Sequence, residues 1–291
     1  MDIVVPASLR AMPRWWGEGS EWLDALPGLV AAQCRRWGLR VDGEVVHGSN
    51  ALVVPVLRGD SALVLRMAPP GGEDTRALRF WNGRGTVLLV DADPATGATL
   101  LERLGESLLA EPVGAAVAVL GAMMRRLAVP APDDVPSTAD RVRERAARLE
   151  AEWQALGEPF GAAYLAEALR VAPALADTGS GLAVNGDLHS AQVLRGRREP
   201  WLAVDAVLLR GDIEFDLARV LWTRLDEMAG HEVAGHFDTA VAAAGVDRAR
   251  ARDWVAFRTV DYWLWGLGKG LTEDPQRCRR LMDVMMRTAP R

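Results

Sequence analysis

Residues 185–216, NGDLHSAQVLRGRREPWLAVDAVLLRGDIEFD, constrain this chain more than any other stretch. A short apolar run, Leu182–Val184, breaks at Asn185-Gly186 and presents Asp187 in a loop. Val193–Arg195 reads as a strand, residues 196–198 as a turn, and residues 201–204 as a second strand ending at Asp205. A tight hairpin of that kind brings Asp187, the amide of Gln192 and Asp205 to one end. Phosphoryl transfer uses such a set. One carboxylate orients the attacking hydroxyl and accepts its proton, while an amide oxygen and a second carboxylate hold a divalent cation against nucleotide phosphates. Taken singly, an Asp in a Gly-containing loop is an ordinary turn former. Two acids bracketing a hairpin, with an amide between them, ask for more than a turn.

The order G-D-L-H, a short gap, an amide residue, V-L and a W-L-x-x-D strand resembles the signature of the aminoglycoside phosphotransferases. R-E-P-W-L-A-V-D and G-D-I-E-F-D-L-A-R are most similar to the streptomycin and hydroxyurea phosphotransferase branch, bacterial resistance enzymes that move the γ-phosphate of ATP to a drug hydroxyl. The resemblance is specific over residues 180–228, diffuse over 45–110 and weak in the C-terminal helices. It implies an α+β, protein-kinase-like fold of two lobes: a small antiparallel-sheet lobe over 1–104 that binds nucleotide, and a larger, mostly helical lobe over 105–291 with the catalytic and acceptor residues. It implies Asp187 as catalytic base, Gln192 and Asp205 as Mg²⁺ ligands, and His189 and Asp212 as structural supports of the catalytic loop. ATP is the implied donor, and GTP stays open beside it.

Three positions depart from the family pattern. Asn185 stands where His is usual, Gln192 where Asn is usual, and Ala206 where Pro often follows the second acid. Gln192 keeps an amide oxygen and adds a methylene, so metal binding is expected to be retuned and not lost.

Lys269 is the only lysine, so the N-terminal half lacks the strand lysine with which kinase-like enzymes grip the α- and β-phosphates. Arg66, closing the apolar run after Ser61, occupies its place. Arginine keeps the charge and binds phosphate bidentately, but it is not an equivalent point charge. Either Arg66 holds nucleotide phosphates, or it is a surface arginine ending a strand. Glu73 is its candidate ion-pair partner, or simply an acid favoured at a helix N-terminus.

Around these residues the pattern predicts a helix over 22–38, strands over 44–46 and 51–56, and a turn at His47-Gly48-Ser49-Asn50. In that turn Ser49 and Asn50 are candidates to cover phosphates; an ordinary hairpin turn is the default. A short helix over 73–81 and strands over 87–90 and 98–104 follow, with Glu102 and Leu104 implied by the resemblance as the adenine position. Helices are then predicted over 113–127, 139–156 and 164–175. After the hairpin one helix is expected from Gly211-Asp212 to about Met228, and further helices over 238–244, 248–268 and 275–288. An acid at the first of these starts, Asp212, also suits a helix cap.

For an acceptor, Asp226 and Glu227 on the post-hairpin helix, and Asp261 and Trp265 on a later one, combine carboxylates with aromatic faces that suit a cationic or sugar-bearing drug. Aromatic residues at helical spacing also suit a core, and exposed acids a solvated surface.

A formal net charge of -5 argues against a nucleic-acid partner, as does the lack of a basic stretch interleaved with aromatics. No apolar run approaches a membrane span, and residues 1–10 carry no cleavable signal pattern. Cys34 and Cys278 are far apart and read as buried thiols of a reducing compartment. The expectation is a cytoplasmic monomer or homodimer acting on a small-molecule hydroxyl. Other readings are a kinase of a non-antibiotic metabolite, a nucleotide-binding pseudokinase built on Arg66 and Gln192, and a drug-binding protein. The joint presence of Asp187 and Asp205 favours catalysis.

Overall fold

The computed structural model describes residues 3–12, 15, 20–48, 50–71, 75–177 and 180–288. The chain forms two compact units, residues 1–105 and 106–291, each with its own apolar core.

In the first unit, α1 (Ala7–Arg10) and α2 (Ser20–Trp37) precede an antiparallel sheet. Its strands are β1 (Arg40–Val41), β2 (Val46–His47), β3 (Leu52–Arg58), β4 (Ser61–Met67), β5 (Leu89–Asp93) and β6 (Ala98–Glu102). They run in the order β1-β3-β4-β6-β5, with β2 also paired to β3. Alternation decides which face is dry. Leu52, Val54 and Val56 of β3 and Leu63, Leu65 and Met67 of β4 are buried, and their neighbours are half-buried. Leu23, Leu26 and Val30, at helical spacing on α2, belong to the same core. Each such side chain contributes roughly 1.5–3 kcal/mol on full burial. A short α3 (Arg76–Trp81) lies between β4 and β5 and ends at Asn82 in the left-handed region.

The second unit is mainly helical: α4 (Val113–Leu127), α5 (Thr138–Ala155), α6 (Ala162–Ala176), α7 (Leu217–Trp222), α8 (Val233–Ala244), α9 (Arg248–Gly268) and α10 (Glu273–Arg287). Ser137 caps α5 through its hydroxyl and Asp247 caps α9 through its carboxylate. Two small antiparallel pairs interrupt the helices. β7 (Leu182–Val184) pairs with β10 (Leu209–Gly211), and β8 (Val193–Arg195) pairs with β9 (Trp201–Ala203).

The single helix expected from Gly211 to Met228 is not formed. Gly211 belongs to β10, a 3₁₀ turn spans Ile213–Asp216, α7 follows, and another 3₁₀ turn covers Leu225–Glu227. Gly211 has φ +147°, and a Cβ there would lie 1.9 Å from the Thr138 hydroxyl oxygen. That φ is not helical, and the close approach of β10 to Thr138 leaves room only for glycine at this position. Among the described residues no helix is long and apolar enough to cross a membrane.

Candidate active site

The β7–β10 pair sets the base of the site. Val184 lies opposite Leu209, and the chain then turns at Asn185-Gly186. Gly186 has φ +80°, which favours glycine, and a Cβ there would press on the Leu209 side chain at 3.0 Å. Asn185, 1% exposed, braces the turn from within: its Oδ1 accepts the Asp187 N–H at 3.2 Å. The backbone carbonyl of Asn185 also accepts the Val207 N–H at 3.0 Å.

Asp187 emerges half-buried with both carboxylate oxygens engaged. Arg219 on α7 donates from Nε to Oδ1 at 2.7 Å, and Gln192 donates from Nε2 to Oδ2 at 3.1 Å. The β8–β9 hairpin carries this amide to the second acid. Val193 lies opposite Ala203, the Val204 N–H donates to the Gln192 carbonyl at 2.9 Å, and Asp205 follows directly. The backbones of Gln192 and Asp205 thus lie close together at one end of the hairpin. Gln192 therefore bonds Asp187 through its side chain and neighbours Asp205 along the hairpin backbone.

His189 precedes the 3₁₀ turn Ser190–Gln192, where its carbonyl accepts the Gln192 N–H at 3.0 Å. Burial, and after it Arg219, push its imidazole down to about 4, against a smaller upward pull from Asp187. It is therefore neutral near pH 7.

Asp212 and Asp216, which follow β10, engage different partners. Asp212 makes no side-chain cap to the following turn. Its Oδ2 instead accepts from Arg250 Nε at 2.7 Å and Trp254 Nε1 at 2.9 Å, which fastens β10 to α9. Asp216, 2% exposed, has its carboxyl pushed up to about 7, chiefly by burial. Arg258, together with the backbone N–H groups of Leu188 and Gly186, pulls the other way by favouring the carboxylate. Those two amides flank Asp187. Arg258 is itself pushed down to about 10 by burial, lies 3.7 Å from the Phe215 ring centroid, and donates to the Phe215 carbonyl at 3.1 Å.

Arg219, Asp216 and Arg258 carry no role in the sequence reading. A signal for the first two exists: an acid and a base three residues apart within the apolar run F-D-L-A-R-V-L-W. Arg258 has no local signal.

The acceptor candidates are engaged within the unit. Asp226 pairs with Arg277 at 2.6 Å and Arg280 at 3.2 Å, Glu227 pairs with Arg224, and Asp261 accepts from Arg145 at 2.5 Å. Trp265 is 48% exposed and stacks on Tyr262 with centroids 5.2 Å apart. Tyr262 in turn stacks on Trp222 at 4.4 Å, and Arg219 lies 5.9 Å over the Trp222 ring.

In the first unit, Arg66 on β4 donates from Nη2 to Asn50 Oδ1 at 2.9 Å, so two of the nucleotide candidates meet. Glu102 closes β6: its N–H donates to the Leu88 carbonyl, and its Oε1 accepts the Leu88 N–H at 2.8 Å. Leu104 lies just beyond the strand. Ser49 and Glu73 fall outside the described residues.

Residues 36–270 match the family of aminoglycoside/hydroxyurea antibiotic resistance kinases. A hydroxyurea phosphotransferase of Kitasatospora aureofaciens is 37% identical over 98% of this chain and 86% of its own length. A streptomycin 6-kinase of Streptomyces glaucescens is 37% identical over 93% of this chain and 92% of its own. Among solved structures, the aminoglycoside phosphotransferase APH(4)-Ia, in a ternary complex with AMP-PNP and hygromycin B, superposes with a TM-score of 0.65 at 18% identity, covering 88% of this chain and 97% of that one. Choline kinase LicA from Streptococcus pneumoniae superposes with a TM-score of 0.60 at 11% identity, covering 90% and 99%. The shared fold is α+β and protein-kinase-like.

Proposed function

This chain belongs to the aminoglycoside/hydroxyurea antibiotic resistance kinases, and on that premise we propose that it transfers the γ-phosphate of ATP to a hydroxyl of a small-molecule antibiotic. The observation that carries the reading is the double engagement of Asp187. Arg219 and Gln192 hold its two oxygens from opposite partners, fixing the plane of the carboxylate.

In this reading Asp187 orients the acceptor hydroxyl. The acceptor oxygen forms its bond to the γ-phosphorus as the bond to the ADP oxygen breaks, and the hydroxyl proton passes to an Asp187 oxygen. The transition state is loose, so the proton leaves late and Asp187 need not be a strong base. Positioning supplies most of the acceleration, which suits a carboxylate already held by an arginine. Neutral His189 and the buried Asp216 keep the loop that presents Asp187 in shape.

The oxygen donors fit Mg²⁺, a hard cation bound by few protein oxygens with waters and phosphates completing its shell. Gln192 Oε1 and the Asp205 carboxylate would hold it. When bound, the ion neutralises charge on the phosphates. Arg66, oriented by Asn50, is the candidate phosphate ligand of the first unit. GTP is the alternative donor.

Transfer of label from γ-labelled ATP or GTP, with Mg²⁺, to streptomycin, hygromycin and hydroxyurea tests the reading. A labelled acceptor is expected; no labelled product with any acceptor, in a protein that binds no nucleotide, would refute it. In Asp205→Ala the affinity for Mg-nucleotide should fall by about tenfold or more. An unchanged magnesium dependence would remove Asp205 from that role.

A further inference from the structure

α7 is a rigid platform for one side chain. Leu217, Ala218, Val220, Leu221 and Trp222 are all buried, and Arg219 is the one residue of this helix that is not. From that platform its Nε donates to Asp187 Oδ1 at 2.7 Å, and its Cζ lies 5.9 Å from the centroid of the Trp222 ring. The ring contact uses the charge of the guanidinium and leaves its terminal N–H groups to other partners.

Arginines enclosed to the same degree elsewhere in the chain engage their whole fork. The side chains of Arg103, Arg145 and Arg277 are 24–26% exposed, against 23% for Arg219. Arg103 donates to the carbonyls of Leu63 and Val56 and to Asp42. Arg145 takes Asp261 through Nε and Glu152 through both terminal nitrogens. Arg277 bonds Asp226 and Asp274 and pairs with Glu273. Arg219 engages Nε alone: among the described residues its two terminal nitrogens have no hydrogen-bond or ion-pair partner. Donors of a planar fork, fixed beside the catalytic acid, are suited to an oxygen that arrives with a ligand.

The Asp187 carboxylate indicates which ligand. Gln192, the proposed Mg²⁺ ligand, bonds Oδ2, and Arg219 holds the other oxygen. A group that shares the base with the acceptor hydroxyl is within reach of the acceptor atoms next to that hydroxyl. Resting on the phosphotransferase reading above, we infer that Arg219 binds the acceptor. While Nε holds Asp187, the terminal N–H groups donate to a second acceptor oxygen that adjoins the reacting hydroxyl. The acceptor is then a compound whose hydroxyl has a neighbouring hydrogen-bond-accepting oxygen, as in a vicinal diol or a hydroxyl beside a carbonyl. A site built to bond such an oxygen rejects the analogue that lacks it, because its donors are then left unpaired.

Steady-state kinetics of the full chain with MgATP test this on two compounds. Hydroxyurea carries a carbonyl beside its N-hydroxyl, and N-methylhydroxylamine keeps the hydroxyl and lacks the carbonyl. In the wild type, loss of the carbonyl should lower kcat/KM by about tenfold or more. In Arg219→Ala the same loss should cost less than about twofold. An effect on the placement of Asp187 alone would lower both compounds equally and leave their ratio unchanged. Arg219→Lys should restore part of the turnover and little of the discrimination, since a point charge replaces the planar fork. Nucleotide affinity should stay at the wild-type value in both variants. An equal ratio in the wild type and Arg219→Ala, or a loss of nucleotide affinity, would overturn the inference.

If the wild type phosphorylates neither compound, the phosphotransferase reading is what fails for these acceptors. Calorimetric titration with the same two compounds in the presence of ADP then decides the role of Arg219. Tighter binding of hydroxyurea, with the difference abolished in Arg219→Ala, supports it. Equal binding of the two, a difference that survives in Arg219→Ala, or binding of neither overturns it.

Discussion

The catalytic loop and the 213–216 turn each set a carboxylate near an arginine, with opposite consequences. Asp187 is half-buried, bonded at 2.7 Å to Arg219, and open on its remaining side. Asp216 is 2% exposed, its Oδ1 has no hydrogen-bond partner among the described residues, and burial outweighs the pull of Arg258 on its protonation. Contact with solvent leaves the first accessible to a substrate, as the proposed role requires. Enclosure keeps the second from a ligand and against the Gly186 and Leu188 amides of the loop. Water access, more than the presence of an arginine, separates the two roles.

The largest effect expected from breaking this contrast is at the buried partner. Asp216→Ala removes the acid faced by the Gly186 and Leu188 amides and leaves Arg258 without its compensating charge. Stability should fall by about 3 kcal/mol, read by denaturant unfolding, and turnover by about a hundredfold. A variant of wild-type stability and activity would show that the loop does not depend on Asp216.

A smaller loss is expected at the exposed pair. Arg219→Ala leaves Asp187 held by Gln192 alone, so kcat should drop about tenfold while nucleotide affinity stays unchanged. Arg219→Lys should recover only part, since lysine lacks the planar fork. A matching loss of nucleotide affinity would mean that Arg219 acts through the phosphates and not through Asp187.

The smallest effect is a change in pH dependence. The His189 pKa, near 4 against the ordinary 6.5, means that the unfolded chain takes up this proton first as pH falls through that window, so acid weakens the fold. Asp216 acts in the opposite sense. Its folded pKa of about 7 lies above the ordinary 3.8, so its contribution is complete below 3.8 and is lost as pH rises through 7. Between pH 6.5 and 4 the two oppose each other. Asp216→Asn removes one of them, and its unfolding free energy should fall more steeply on acidification than that of the wild type. Parallel curves would contradict the raised Asp216 value.

Legibility in the sequence followed the range of the interactions involved. Val113–Leu127 and Arg248–Gly268 form helices with the expected ends, because long apolar periodicity and a capping Asp247 act locally. The β8–β9 hairpin is equally local, and it places Gln192 beside Asp205. β7 and β10 span three residues each and exist through pairing across 25 residues or more, so no period announces them. The roles of the acids were hidden for the same reason. Asp261 is neutralised by an arginine 116 positions away and Asp226 by one 51 away, whereas Asp216 lies only three residues from Arg219 within one apolar run. Composition reports that acids and arginines are present. Only the fold decides which carboxylates remain open to a ligand.

The most direct measurement of the central claim is single-turnover phosphate transfer by Asp187→Ala beside the wild type, with nucleotide affinity measured in parallel. The account predicts a turnover loss of about 10²–10⁴ with nucleotide affinity essentially unchanged. Near-normal turnover in the variant would contradict it, and would move the chemistry away from Asp187.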